Sequence, residues 1–542
     1  MFLTTIRAMV VMVGVVAPAL AEAQGLRTTA VTTAPAPRIL FSEDEMALAR
    51  AVSSRPALAA FYGGNGLKPI FAGPEASARR QALISATAGA GHHGLPVSRY
   101  EPRRLDRLNR TGSSSVEDEL AFARVFERWV HDIGGGVLEP RRVDANSKRE
   151  VLRPDVVTLL HAFERAADPA AVLAGIEPKF PQYLALQRAL GNDTDLIAPA
   201  SLPKVANGVW REGSEGQAVL DMRKRLVSLG FDEAQPVDLA YFDADLGHAV
   251  RAYQSRLGIG ADGIAGPHTV EMLNRDSVTP NTKIAVSLER MRWLAGHDLN
   301  ARHVWVNLPE FNARIIENGQ EMFETRVVIG KDTDDRRTPE FSDEIEYMVV
   351  NPRWNIPRSI TVKEYLPRLQ ANRNAVSHLD IVDGNGNVIP RDRIDFSKYT
   401  TRNFPYRMRQ KPSDDNALGL VKFMFPNPWN IYLHDTPTKH LFDQSSRAYS
   451  HGCIRIGRPF DLAYQLLRDT SDDPKATFQR ALDGGRETWL HLKQNIPVHL
   501  VYFTALPDSS GKIRYFRDVY ERDANVAAAL QRAALEVYDE VE

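Results

Sequence analysis

The chain has 542 residues, 43% of them hydrophobic and 25% charged. That mix excludes a wholly disordered protein, and the length is too great for one core, so about three or four domains are predicted. Lys and Arg total 67 against 68 Asp and Glu, a formal net charge of -1, which leaves no global electrostatic footprint for nucleic acid.

The first residues run from a short basic region ending at Arg7 through an apolar stretch, Ala8 to Ala17, to the small-residue sites Ala19-Leu20-Ala21 and Ala21-Glu22-Ala23. This layout predicts a signal peptide over 1–23, cleaved after Ala21 or Ala23, and export to the periplasm. A spanning helix needs roughly 20 apolar residues, and Pro18 and Glu22 interrupt the run too early. Export gives the cysteine count its weight. An oxidising compartment uses cysteines in pairs, yet Cys453 is alone in this sequence. It is therefore a candidate reactive thiol; the alternative is a buried small hydrophobe.

Residues 24–41, rich in Thr, Ala and Pro, read as a linker. From 42 to 200 the helical spacing of Leu120, Phe122, Val125, Phe126 and Val130 predicts a mainly α region, with Gly134-Gly135-Gly136 closing that helix. Within it, His92 and His93 sit between Gly and Pro residues with no further ligands at a zinc spacing, so they read as a turn and not as a metal site. Residues 207–275 form a compact unit of helices separated by Gly-rich turns. Its string, Leu229-Gly230, Ala249-Val250, Tyr253-Gln254, Asp262-Gly263, Gly266 and Thr269, resembles the small peptidoglycan-binding domain of cell-wall hydrolases. The alternative is a three-helix module that kept the fold without the ligand.

A helix over Ile284 to Leu294 leads into β-type alternation at 304–308, 325–330 and 347–352, which predicts a β-sandwich or partly closed barrel. The charged stretch 358–416 interrupts it as an irregular insertion, of a length often used for lids and binding loops. Strands resume at Gly419 to Phe423 and Trp429 to His434. A last β pair, Val498 to Phe503 with Ile513 to Phe516, precedes a C-terminal helix in the extension 506–542.

The chemistry concentrates between Ile431-Tyr432-Leu433-His434-Asp435-Thr436 and Tyr449-Ser450-His451-Gly452-Cys453-Ile454-Arg455-Ile456. A thiol with a pKa of about 8.5 is mostly protonated near neutrality, so a catalytic cysteine needs an imidazole or another positive group to supply thiolate. His434 and His451 are the candidates, and the expectation is a sulfur ionised by one of them. Strand alternation places Tyr432 and His434 on one face. Gly452 allows close approach of backbone to substrate, amides around Gly452 and Cys453 are candidate oxyanion donors, and Arg455 is suited to paired hydrogen bonds with a carboxylate.

This string resembles the signature of the YkuD-type L,D-transpeptidase catalytic domain. Leu288-Glu289-Arg290-Met291-Arg292-Trp293, Asn351-Pro352-x-Trp354-Asn355-Ile356-Pro357 and Asn416-Ala417-Leu418-Gly419-x-x-Lys422-Phe423-x-Phe425-Pro426-Asn427 resemble its large, scaffold-bearing YcbB-type subgroup. The resemblance implies a multidomain α+β protein: a helical scaffold domain (42–200), a three-helix peptidoglycan-binding-like domain (207–275) and a β-sandwich or barrel-like catalytic domain (281–505), with 358–416 capping the substrate cleft.

It implies Cys453 as nucleophile and His434 as general base. Tyr432 would lie near the oxyanion, Ser450, His451, Gly452 and Arg455 would line the site, and Trp354, Asn416 and Lys422 would belong to the cap and cleft. The implied reaction joins peptidoglycan stems, from a donor tetrapeptide to an acceptor stem, in a 3→3 diaminopimelate cross-link with release of D-Ala. L,D-carboxypeptidation would be a side activity. No metal or organic cofactor is required. The resemblance further implies carbapenem β-lactams as covalent inhibitors and penicillin-binding proteins as candidate partners. The competing readings are a non-catalytic wall-binding protein, which predicts that Cys453→Ala leaves function intact, and attachment of an outer-membrane protein to the wall.

Overall fold

The computed structural model describes residues 41–112, 114–191, 203–231, 238–257, 259–275 and 278–539. The expected signal peptide and the linker up to residue 40 lie outside them. Among the described residues no helix is long and apolar enough to cross a membrane.

The N-terminal part is helical, from Glu43–Val52 to Pro181–Leu190. Its helices start where side chains satisfy free N–H groups: Ser42 with Glu45 and Ser115 with Asp118 form capping boxes, and Asp155 and Asp168 cap the helices that follow them. The helix Val116–Gly135 carries the apolar stripe read in the sequence and ends at Gly136, whose φ of 88° is left-handed. Phe71, Phe122, Phe126, Trp129 and Phe163 pack into one core. The chain's last helix, Asp523–Asp539, returns to this core with Val526 and Leu530, so the C-terminal segment closes the scaffold.

Three helices, Gln217–Ser228, Ala244–Leu257 and Pro267–Arg275, make the next unit around Val219, Leu226, Val250 and Tyr253. The motif residues hold its turns. Gln254 Nε2 donates to Asp262, to Ile264 O and to Thr269, and its Oε1 accepts from Gly263 N–H.

Strands follow in chain order: β1 His303–Asn307, β2 Asn312–Glu317, β3 Gln320–Gly330, β4 Phe341–Val350, β5 Trp354–Asn355, β6 Leu379–Val382, β7 Arg407–Gln410, β8 Val421–Met424, β9 Leu433–His434, β10 Ala448–Ser450, β11 Ile454–Ile456, β12 Thr488–Val501, β13 Ala505–Pro507 and β14 Ile513–Tyr515. The large sheet runs β10-β3-β11-β9-β8-β4-β12-β1-β2, and β2 also pairs with β3. The long β3 uses its first half for β2 and its second half for β11 and β10, which closes the sheet into a barrel. Val304, Val327, Met348, Phe423, Leu433, Ile454 and Val498 fill its core.

Three sequence expectations need correction. The stretch 358–416 is a folded subdomain and not an irregular insertion. Helical turns over 358–371 pack on the three-stranded sheet β5-β7-β6 around Ile360, Leu366, Leu369, Ile381, Phe396, Phe404 and Met408, each burial stabilising by about 1.5–3 kcal/mol. The strand expected from Trp429 shrinks to Leu433–His434. Asn427 caps the preceding turn by accepting from Trp429 and Ile431 N–H, and Asn430 takes φ 54°. Finally, Val498 pairs with β1 and β4, whereas Ile513–Tyr515 pairs with Ala505–Pro507.

Candidate active site

β8, β9 and β11 lie side by side, with Lys422 opposite His434 and His434 opposite Arg455. Val421, Phe423, Leu433, Ile454 and Ile456 point into the barrel core, so alternation sends Lys422, His434 and Arg455 to the other face. Tyr432 and Cys453 precede His434 and Arg455 by two residues and join them there. The Tyr432 and His434 ring centroids are 5.7 Å apart, and Lys422 Nζ lies 5.9 Å from the Tyr432 ring.

His434 is buried, and its Nδ1 lies 2.5 Å from Asp435 O. A carbonyl accepts only, so Nδ1 carries the proton and Nε2 keeps a free lone pair. Burial, reinforced by the Arg455 and Lys422 charges, pushes the imidazole down to about 3. Cys453 is half-buried, and its thiol lies 3.5 Å from Asn430 O. Burial pushes the thiol up to about 11 against the Tyr432 backbone and phenol, Arg455 and Lys422, which all favour thiolate. Both shifts favour a neutral thiol and a neutral imidazole at rest. Desolvation opposes the positive surroundings on which the expected ionised sulfur depends.

Burial also lowers the pKa of Lys422 and of Arg455. Arg455 Nη1 donates to Thr438 Oγ1 at 2.9 Å, and its Nε is buried without a hydrogen-bond partner. Tyr432 has its phenol pKa raised by burial and by the neighbouring sulfur.

The turn before Cys453 is tied at every residue. Ser450 Oγ accepts from Gly452 N–H at 3.1 Å and donates to Cys453 O at 2.5 Å. Gly452, at φ 119°, offers its carbonyl to Thr338 Oγ1 at 2.8 Å. That φ favours glycine. The Gly452 amide, spent on Ser450, is thus removed from the two oxyanion donors expected of this turn. Thr338 is itself braced by the C-terminal segment: its N–H donates to Tyr520 Oη, and its carbonyl accepts from Arg522 Nη2.

His451 is exposed, with Nε2 2.7 Å from Glu364 Oε1; Arg336 Nη2 donates to the same oxygen at 2.7 Å. Glu364 sits on the π-helical turn Thr361–Tyr365 of the insertion. Trp354 packs in the insertion's own core, edge-on to Tyr365. Asn416 is fully buried, donating to Pro352 O and Lys411 O. It pins the two ends of the insertion together and does not face a cleft. Sequence reasoning missed Glu364, Thr338 and Tyr520. The first is one acid among many in a charged stretch, and the other two act through backbone contacts that no motif marks. A separate cleft of about 830 Å³, lined in part by Lys204, His268, Glu271 and Asn525, shares no residue with this face.

A half-buried thiol and a buried imidazole with a free Nε2 thus share one face of the barrel wall. Residues 301–487 match the YkuD family, "L,D-transpeptidase catalytic domain"; residues 56–190 match "Scaffold domain", and 215–273 match "Putative peptidoglycan binding domain". The chain thus carries a YkuD L,D-transpeptidase catalytic domain together with a scaffold and a peptidoglycan-binding domain. It is 33% identical over 251 residues to a protein named "Putative L,D-transpeptidase" from Haemophilus influenzae, covering 46% of this chain and 49% of that one; it spans about half the length of this curated relative. Among solved structures, L,D-transpeptidases from Xylanimonas cellulosilytica (14% identity, TM-score 0.16, 55% of this chain and 98% of that one) and Stackebrandtia nassauensis (16%, 0.21, 55% and 96%) are similar too distantly to carry an argument.

Proposed function

We propose that the protein is a peptidoglycan L,D-transpeptidase of the cell envelope, exported to the periplasm, with Cys453 as nucleophile and His434 as general base. The observation that carries this reading is the shared sheet face on which Cys453 and His434 lie, with Nδ1–H of His434 committed to Asp435 O. Because both groups rest neutral, His434 Nε2 takes the thiol proton as sulfur attacks the carbonyl of the third stem residue, diaminopimelate. The Cys453 amide and the Tyr432 hydroxyl stabilise the oxyanion. The C–N bond to the terminal D-Ala breaks, His434 returns the proton to the departing amine, and a thioester remains. The side-chain amine of diaminopimelate on a second stem then attacks the thioester, giving a 3→3 cross-link and free thiol. Water in place of the amine gives L,D-carboxypeptidation, and a carbapenem acylates the same sulfur.

In this proposal 42–200 is a scaffold domain, 207–275 a wall-binding domain and 281–505 the catalytic domain, with 358–416 as its cap and 506–542 as an extension. The cap is latched to the nucleophile turn through Glu364 and His451 and excludes water from the acyl-enzyme. Arg455, whose Nε lacks a partner, and Lys422 hold a stem carboxylate. Penicillin-binding proteins, which supply stems within the same wall, are candidate partners. Muropeptide analysis after reaction with tetrapeptide-bearing wall fragments tests the reading. Wild type should yield 3→3 dimers and D-Ala, and Cys453→Ala should yield neither; equal products from both would overturn Cys453 as nucleophile, and no product from wild type would favour a wall-binding role.

A further inference from the structure

The sheet that carries Cys453 continues beyond the site. Strand register aligns Trp489 of β12 with Val349 of β4, Val349 with Lys422, Lys422 with His434 and His434 with Arg455. These five residues form one unbroken row across one face. Leu490 and Met348, the next residues on β12 and β4, pack against the barrel core, which confirms that Trp489 points the other way. Tyr347 and Cys453 each sit two residues before a member of the row. Tyr347 pairs with Met424, two residues beyond Lys422, and antiparallel β8–β9 pairing carries that offset to the Tyr432 and Cys453 side. Tyr347 and the sulfur therefore share a face and lie on the same side of the row, which Trp489 ends.

At the far end of that face, Trp489 is stacked on Tyr347 with ring centroids 5.0 Å apart and planes 13° apart, and the His491 ring lies tilted 5.1 Å from Tyr347. A cross-strand aromatic pair stabilises a sheet, but that role does not require an exposed tryptophan. Trp489 is 54% exposed, the most exposed tryptophan among the described residues, with buried Val349 between it and Lys422. The platform is flat, apolar and edged by an imidazole. Such a surface suits the C–H face of a pyranose ring, whose polarised hydrogens are drawn to a π face while its hydroxyls and acetamido groups stay at the rim in water or on a hydrogen-bonding side chain.

We infer that Trp489, Tyr347 and His491 form a saccharide subsite that holds the amino-sugar strand bearing the donor stem. The inference rests on the transpeptidase reading and adds a glycan-recognition surface to it. The spacing agrees. Three interstrand steps of about 4.8 Å separate β11 from β4, about 14 Å in all, and one more reaches β12. The three stem residues up to the attacked carbonyl extend about 10–11 Å, and the lactyl arm and the sugar ring span the rest. Glycan seated on the aromatic platform thus leaves the third stem residue at the sulfur.

The test compares a disaccharide tetrapeptide with the same tetrapeptide lacking sugar, on wild type, Trp489→Ala and Trp489→Phe. Wild type should show a KM lower by roughly tenfold for the sugar-bearing donor. Trp489→Ala should erase that preference while keeping kcat and the KM for the bare peptide, and Trp489→Phe should retain most of it. An unchanged preference in Trp489→Ala, or an equal rise in KM for both donors, overturns the inference. A second measurement needs no turnover: a peptide-free β-1,4-linked N-acetylglucosamine tetramer is titrated by calorimetry into wild type and Trp489→Ala, and loss of roughly tenfold in affinity supports the subsite, whereas equal affinity or no binding to wild type overturns it. Turnover of neither donor, with Trp489-dependent tetramer binding intact, would sink the transpeptidase reading and leave the saccharide site standing.

Discussion

Titrating the resting thiol tests the neutral Cys453–His434 pair. With the thiol near 11 and the imidazole near 3, roughly one sulfur in ten thousand is thiolate at pH 7, against about 3% for a free cysteine of pKa about 8.5. Iodoacetamide should therefore alkylate Cys453 roughly 300-fold more slowly than free cysteine at pH 7, before any further loss from its half-buried position. The sequence holds one cysteine, so thiolate absorbance near 240 nm reads this group alone, and it should rise only as pH approaches about 11. His434→Gln should leave that midpoint in place, because the imidazole it removes carries no charge at neutral pH. The same change should lower the rate of acylation by about 10²–10⁴-fold, the usual contribution of a general base. A thiolate midpoint at or below pH 7 that climbs in His434→Gln would reveal a resting ion pair and refute the reasoning.

Acid should destabilise the fold. His93 and His434 are buried and titrate only near 3 when folded, whereas the unfolded chain takes up these protons near 6.5. Between those values the unfolded state binds more protons, so stability falls as pH falls, by about 2–3 kcal/mol per histidine at pH 4.5. Urea unfolding at pH 7 and 4.5 measures the loss, and His93→Gln should reduce it. Glu289→Ala should cost about 3–5 kcal/mol in chemical denaturation: its carboxylate, fully buried, accepts from Leu138 N–H, Trp293 Nε1 and Arg292, and its loss leaves the Arg292 charge short of its carboxylate partner. Glu364→Gln should change global stability by less than about 1 kcal/mol, since its ion pairs are part-exposed. Faster hydrogen exchange over 361–371 should nonetheless report an insertion loosened from the His451 turn.

What could be read from the sequence was whatever is encoded locally. The helical stripe around Phe122 and Phe126, the three-helix unit and the face shared by Tyr432 and His434 all follow from spacing along one segment. The insertion escaped because its core joins residues as far apart as Ile360 and Met408, and its short elements show no sustained period. The motif alone points Asn416 to the cleft, whereas its amide is used up between Pro352 and Lys411. The burial that opposes ionisation of Cys453 is hidden from the sequence for a related reason. Neighbouring cations can be seen in the string, but desolvation is a property of the packed site.

The turn before Cys453 is held from behind by parts of the chain far from it in sequence. Tyr520 Oη donates to Gly330 O and accepts from Thr338 N–H, Arg522 reaches Thr338 O, and Thr338 Oγ1 bonds both Gly330 N–H and Gly452 O. Behind them, Asp518 accepts from Tyr502, and Asp523 pairs with Arg290 of the helix Pro280–Arg292. Burial of this ionic cluster costs desolvation, and apolar packing of equal volume would often be as stable. Apolar contacts, however, are not directional. Hydrogen bonds in this chain fix the Gly452 carbonyl in angle as well as in distance, and under the proposed acyl transfer Cys453, whose approach to a carbonyl would have to be aligned, gains from that constraint. The C-terminal segment that closes the scaffold is, by the same contacts, what orients the turn bearing Cys453, so scaffold integrity and the geometry of the site cannot vary independently.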